Sequence, residues 1–228
     1  MYNDGRSVLK KDERESDLTA DQYKMKADFF DAQVESPWAA DEYGPDELAR
    51  LERMKAELGP LSGKAILEPG CGTGRLTSIL SDWVGPSGHV TALDISRGMT
   101  DRARQRLAGR SNVRLVNGSL EELEPNPASF DTVLHHQVFP HYNDKALALE
   151  ITARAVKPGG RVIVFHFINM AQINDTHRKA GTAVEHDMMP HEDEMRRMFE
   201  AAGLEVRFVV DDDEGFFLSA LYPRTGAS

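Results

Sequence analysis

From residue 64 to residue 167 short apolar runs alternate with amphipathic stretches, and this alternation constrains the fold more than any other feature of the chain. Residues 64–68, 89–94, 113–117, 130–135 and 161–167 have strand length and little polar alternation, as strands buried on both faces require. Between them, residues 74–84, 97–108 and 144–156 carry helical spacing. Strands of that kind need helices on both sides, so the pattern predicts a doubly wound α/β fold with a largely parallel sheet. The turn Lys157-Pro158-Gly159-Gly160 leads into the fifth strand.

The flanks read differently. The first twenty residues are charged and give no apolar pattern, which predicts a mobile arm, followed by a helix over 21–34 and a loop over 35–45 anchored by Trp38 and Tyr43. Asp46 is the expected cap of a helix over 47–58 that turns Leu48, Leu51, Met54 and Leu58 to one side. After a helix over 192–202, strands over 204–210 and 216–222 are joined by Asp211-Asp212-Asp213-Glu214-Gly215, a hairpin signal that makes the last strand antiparallel. The expected organisation is an N-terminal arm and helical lid over 1–45 and one domain over 46–228. Residues 168–190 are an insertion beside the site, longer than a usual connection.

A length of 228 residues suits a single α/β domain. The net charge of −10 would repel duplex nucleic acid. The arginines between Arg97 and Arg110 read as a solvated helix face. No apolar run approaches the ~20 residues of a membrane span, and the N-terminus lacks a signal core. Cys71 is the sole cysteine and reads as a small packing residue. These features predict a cytoplasmic protein, monomer or homodimer, acting on a small molecule, with neither nucleic acid nor membrane as partner.

The loop Glu68-Pro69-Gly70-Cys71-Gly72-Thr73-Gly74 takes the first strand straight into a helix. Glycines there let a ligand approach the backbone, and the helix start offers unpaired N–H groups to a nucleotide or a carboxylate. A dinucleotide fingerprint wants a small residue where Arg75 stands, which disfavours a nicotinamide cofactor. Asp94, ending the second strand, is placed to accept hydrogen bonds from a ribose.

These residues resemble the class I S-adenosylmethionine-dependent methyltransferases, particularly the group acting on small molecules. The resemblance rests on four blocks in order: 66–74, Ala92-Leu93-Asp94-Ile95-Ser96, Phe130-Asp131-Thr132-Val133 and 156–161. It implies a Rossmann-like, seven-stranded sheet, mostly parallel with an antiparallel last strand, and S-adenosylmethionine as cofactor. It further implies that Glu68, Gly70, Gly72 and Gly74 hold the methionine part, Asp94 the ribose, and Ile95 and Met99 the adenine. Ser119 and Leu120 fall where the family often has an acidic residue and alanine against the adenine edge. His135 offers its backbone carbonyl to the cofactor's amino group.

Methyl transfer needs an aligned acceptor, exclusion of water and, for a protic acceptor, removal of a proton. Seven of the 8 histidines lie between His135 and His191, beyond the fourth and fifth strands. His136 and His166 are therefore the expected general bases. A divalent metal held by His166, His177, His186 and His191 is the alternative, and a non-catalytic S-adenosylmethionine-binding module is a third reading.

Overall fold

The computed structural model describes residues 13–123 and 125–224, with side chains from residue 21 onward. Most of the expected arm lies outside the described residues, but Glu13–Asp31 forms one long helix, α1. A one-turn helix α2 (Pro37–Ala40) and α3 (Pro45–Leu58) follow. The chain then alternates: β1 (Ala65–Pro69), α4 (Arg75–Val84), β2 (His89–Asp94), α5 (Arg97–Arg106), β3 (Val113–Asn117), the short α6 (Leu120–Leu123), β4 (Phe130–His136), α7 (Lys145–Ala155) and β5 (Val156–His166). After α8 (Met170–Ala180) and α9 (Glu192–Ala201), β6 (Glu205–Asp212) and β7 (Gly215–Leu221) close the fold.

The seven strands lie in the order β3-β2-β1-β4-β5-β7-β6. β7 runs antiparallel to both neighbours, β5 and β6, while β1 to β5 pair in parallel. Successive residues of a strand face opposite sides, and β1 shows the result. Ile66 packs with Leu51 and Met54 of α3 and Leu80 of α4. Leu67 joins the other core, with Leu149 of α7 and Phe199 of α9. Strand order reverses at β1, between β2 and β4, and the crevice beyond their carboxyl ends is where such sheets bind ligands.

Local chemistry moved some boundaries. The cap of α3 is Gly44, not Asp46: Pro45 fits the first helical position, and the Glu47 carboxylate accepts the Gly44 N–H at 2.8 Å. Leu48, expected on the buried side, is 44% exposed, while Leu51, Met54 and Leu58 are buried. β5 begins at Val156, with the proline-glycine turn carried inside the strand as an irregularity between the Phe130 and Thr132 pairings. α8 was not expected, although Asn169 and Gln172 cap each other's backbone at 3.0 and 3.1 Å, a signal present in the sequence.

Candidate active site

Gly70, Gly72 and Gly74 all have positive φ, which glycine tolerates and other residues rarely do. At Gly70 space decides as well, because a Cβ would run into Val138. The Gly72 N–H donates to one oxygen of Asp94 at 2.8 Å and the Ser96 N–H to the other at 2.9 Å. Loop and β2 end are thereby fixed to each other.

A cleft of about 940 Å³, its mouth included, opens beyond these strand ends. Glu68, Gly70, Gly72 and Asp94 form its inner wall, and Ile95, Met99, Ser119 and Leu120 the next. Glu68 is buried and accepts the Thr77 hydroxyl at 2.7 Å; burial pushes its carboxyl up to about 8. Burial also lifts Asp94, to about 6, against the two N–H groups that favour its charge. Two buried carboxylates without a bonded cation suit a ligand that brings positive charge.

α1 and α2 cover the cleft through polar contacts. Asp31 accepts the Ser96 hydroxyl and, at 2.9 Å, the Gly98 N–H. The Ala39 carbonyl accepts the Thr73 hydroxyl and the Trp38 carbonyl accepts the Arg75 guanidinium. Arg75 also lies 3.8 Å over the Tyr43 ring, and its buried Nε has no hydrogen-bond partner among the described residues. Arg106, expected on a solvated face, instead turns inward to Thr73 at 2.9 Å and to the Ala40 carbonyl at 3.0 Å.

Several expected site residues lie outside the cleft wall or are already engaged there. Gly74 does not line the cleft; a Cβ there would sit 3.1 Å from Ala103 and Leu107, so its role is helix packing. The His135 ring belongs to the core, bonded to the Tyr142 hydroxyl at 2.8 Å and to Thr152 at 3.2 Å, while the role expected of it was for its backbone carbonyl and not for the ring. His166 is buried away from the cleft wall, with no hydrogen-bond partner at Nε2. The Ser119 hydroxyl already serves as a cap, accepting the Glu122 N–H at 3.2 Å. The metal reading is corrected: among the described residues no three His, Cys, Asp or Glu side chains converge on a metal position. His177 is bonded to the Asp187 carbonyl, His186 is exposed beside Glu185, and His191 precedes α9.

His136 does line the cleft. The Phe165 carbonyl lies 3.1 Å from Nδ1, which assigns the proton to that nitrogen and leaves Nε2 as an acceptor. Burial pushes this imidazole down to about 4, so it is neutral at pH 7. Two further groups were not expected. Glu121 takes the Tyr23 hydroxyl on one oxygen, while its other oxygen is buried at the cleft wall without a partner among the described residues. His141 also faces the cleft and has Asp187 2.8 Å from its Nδ1. Only the crowding of histidines and acids in 177–187 signalled such a pair.

This mixed seven-stranded sheet, with its glycine loop and acidic β2 end, defines a class I S-adenosylmethionine-dependent methyltransferase fold. The chain belongs to the methyltransferase domain family, whose model matches residues 60–203. Demethylmenaquinone methyltransferase of Staphylococcus aureus strain JH9 is 37% identical over 112 residues, 49% of this chain and 46% of that protein. The match thus spans about half the length of such relatives. An Aquifex aeolicus S-adenosylmethionine-dependent methyltransferase superposes with a TM-score of 0.60 at 21% identity, over 79% of this chain and 98% of the other. One from Mesorhizobium loti gives 0.62 at 18% identity, over 78% and 98%.

The residues present fit S-adenosylmethionine. Its positive charge would suit the buried Glu68 and Asp94, and among the described residues Arg75 Nε and one Glu121 oxygen are a buried donor and a buried acceptor without a partner, which would suit its carboxylate and its purine amino group.

Proposed function

We propose that this chain transfers a methyl group from S-adenosylmethionine to a small-molecule acceptor in the mouth of the cleft, beneath α1 and α2. The observation that carries the reading is one cleft walled by two buried carboxylates and edged by the orphaned Glu121 oxygen. When bound, S-adenosylmethionine would supply a methyl carbon activated by its sulfonium for displacement by the acceptor's lone pair, with the sulfur as leaving group and the acceptor's proton left to be removed.

This chain's residues supply the remainder. Glu68 and the 70–72 backbone hold the methionine part, Asp94 the ribose, Ile95 and Met99 the purine faces, and Glu121 the purine amino group in place of Ser119. His136, neutral and with only a long Gln137 amide contact of 3.5 Å at Nε2, receives a hydrogen bond from the acceptor in place of that contact and orients its lone pair. The lid excludes water. An apolar acceptor suits the aromatic lining of Phe30, Trp38, Tyr43 and Tyr142, and the S. aureus relative, named for demethylmenaquinone, is an instance of a small-molecule acceptor. A cytoplasmic setting agrees with the single buried thiol of Cys71.

Calorimetric titration with S-adenosylmethionine and, separately, NAD tests the reading. S-adenosylmethionine binds and NAD does not, and Asp94→Ala weakens the cofactor by ~1–3 kcal/mol through loss of a charged hydrogen bond. Binding of NAD alone overturns the reading, and an unchanged affinity removes Asp94 from the site.

A further inference from the structure

His141 and Asp187 come from segments 46 residues apart and meet at the mouth. His141 follows β4 and lines the cleft; Asp187 lies between α8 and α9 and its side chain is 10% exposed. One Asp187 oxygen lies 2.8 Å from His141 Nδ1, and the other accepts the Lys26 ammonium at 2.8 Å. Lys26, on α1, is itself 5% exposed and is further held by the His141 carbonyl at 2.7 Å and Asn143 at 2.6 Å.

A carboxylate accepts only, so Nδ1 must carry the proton facing Asp187, and Nε2 is left as the lone-pair nitrogen. Among the described residues Nε2 makes no hydrogen bond to the protein, nor is it a sealed orphan like His166 Nε2. Phe30 packs edge-on against the ring at 5.1 Å, fixing its plane beside the aromatic wall. The result is an oriented imidazole backed by a buried carboxylate and open to the cleft.

Resting on the methyl-transfer reading above, we propose that His141 is the general base of this site, with Asp187 and Lys26 as its positioning residues, and that the acceptor is an apolar molecule carrying an ionisable O–H, N–H or S–H group. The acceptor's proton passes to His141 Nε2 as its lone pair takes the methyl group, giving an imidazolium paired with Asp187. Among the described residues His136 has no carboxylate behind it; the Phe165 carbonyl lies at its Nδ1 and the Gln137 amide 3.5 Å from its Nε2, which suits orientation better than proton uptake. His166 is out of reach.

The charged and titratable groups around His141 are Asp187, Lys26 of α1, His177 of α8, whose ring is 4.7 Å away, and His166 of β5. Lys145 and Glu194 stand further out, beside Asp187 and Lys145 respectively. Burial, His177 and Lys26 lower the basicity of His141, and Asp187 raises it.

Two readouts test this. Ring-nitrogen NMR of histidine-labelled protein should show His141 as the Nδ1–H tautomer. Its pKa should fall by about one to three units in Asp187→Asn and rise in Lys26→Met, since removing an opposite or a like charge acts in opposite directions; His136 should not follow. A residue that merely packs would not give shifts of opposite sign. The second readout uses 2-naphthol, 2-naphthalenethiol and 2-naphthylamine with S-adenosylmethionine. Wild type should methylate at least one of them, and His141→Gln should lose about 10²–10⁴-fold in kcat with cofactor affinity unchanged. An Nε2–H tautomer, shifts of one sign in both variants, full activity in His141→Gln, or no methylated probe overturns the proposal. Cofactor binding in those same samples shows whether the underlying reading still stands.

Discussion

Glu68 and Glu121 are each a carboxylate left incomplete by the protein, and each makes a measurable demand. Glu68 holds its proton up to about pH 8 because burial penalises the charge. A cationic cofactor favours the ionised form, so binding releases a proton below that pH and affinity rises from pH 6 to pH 8. Calorimetry in buffers of different ionisation enthalpy measures the release, and Glu68→Gln should abolish it. Glu121 should discriminate between purines: S-adenosylhomocysteine should bind the wild type more tightly than its inosine counterpart, which lacks the amino group. Glu121→Gln still offers an acceptor and keeps part of that preference; Glu121→Ala should lose it, a difference of ~1–3 kcal/mol for a hydrogen bond to a charged group.

At the scale of elements, the described side chains of α1 and α2 hold these helices to the strand ends mainly by polar contacts, and among the described residues neither joins the two large apolar cores. Asp31, the Trp38 and Ala39 carbonyls and Lys26 make those contacts. Elements of this kind open at lower free energy than core strands. Hydrogen exchange should therefore be faster in α1 than in β1 and β4, and S-adenosylmethionine should slow it. Asp31→Ala, which releases Ser96 and Gly98, should speed exchange in α1 and leave β5 and β7 unchanged. Equal protection in α1 and β1 would mean that the helix is part of the rigid body. The strands of 64–167 and all their helices but the short α6 were legible in the sequence because burial on both faces leaves a run that cannot be hidden. α8 was passed over because its side chains are largely polar, although its reciprocal cap was written at Asn169 and Gln172.

For the molecule as a whole, buried ionisable groups link stability to pH. Glu68 and Asp94, both raised, bind protons in the folded state that the unfolded chain would release, so stability declines as pH climbs toward about 8. His135 and His136, held to about 3 and about 4, act oppositely, and their stability is lost as pH falls below the ordinary histidine range. Above pH 6.5 the Glu68 effect is left alone. The Tm of cofactor-free protein should fall between pH 6.5 and 8, and Glu68→Gln should flatten the slope. S-adenosylmethionine at a hundred times its Kd adds ~2.7 kcal/mol, a rise of about 5–10 °C for a chain of this size.

The loop from Glu68 to Gly74, Asp94 and the strand alternation follow from local pattern, because glycine conformation, strand burial and the end of a strand are each written within a few neighbouring residues. Those features determined the fold class and the cofactor end of the cleft. What only the tertiary structure decided is which histidines share a wall. His135 and His136 are adjacent in sequence, yet the period of two in β4 sends one ring to the core and the other to the cleft. His166 is sealed, while His141 gains Asp187 from a connection 46 residues away and Lys26 from a helix 115 residues before it. Proton chemistry depends on such through-space partners, and sequence spacing carries no record of them.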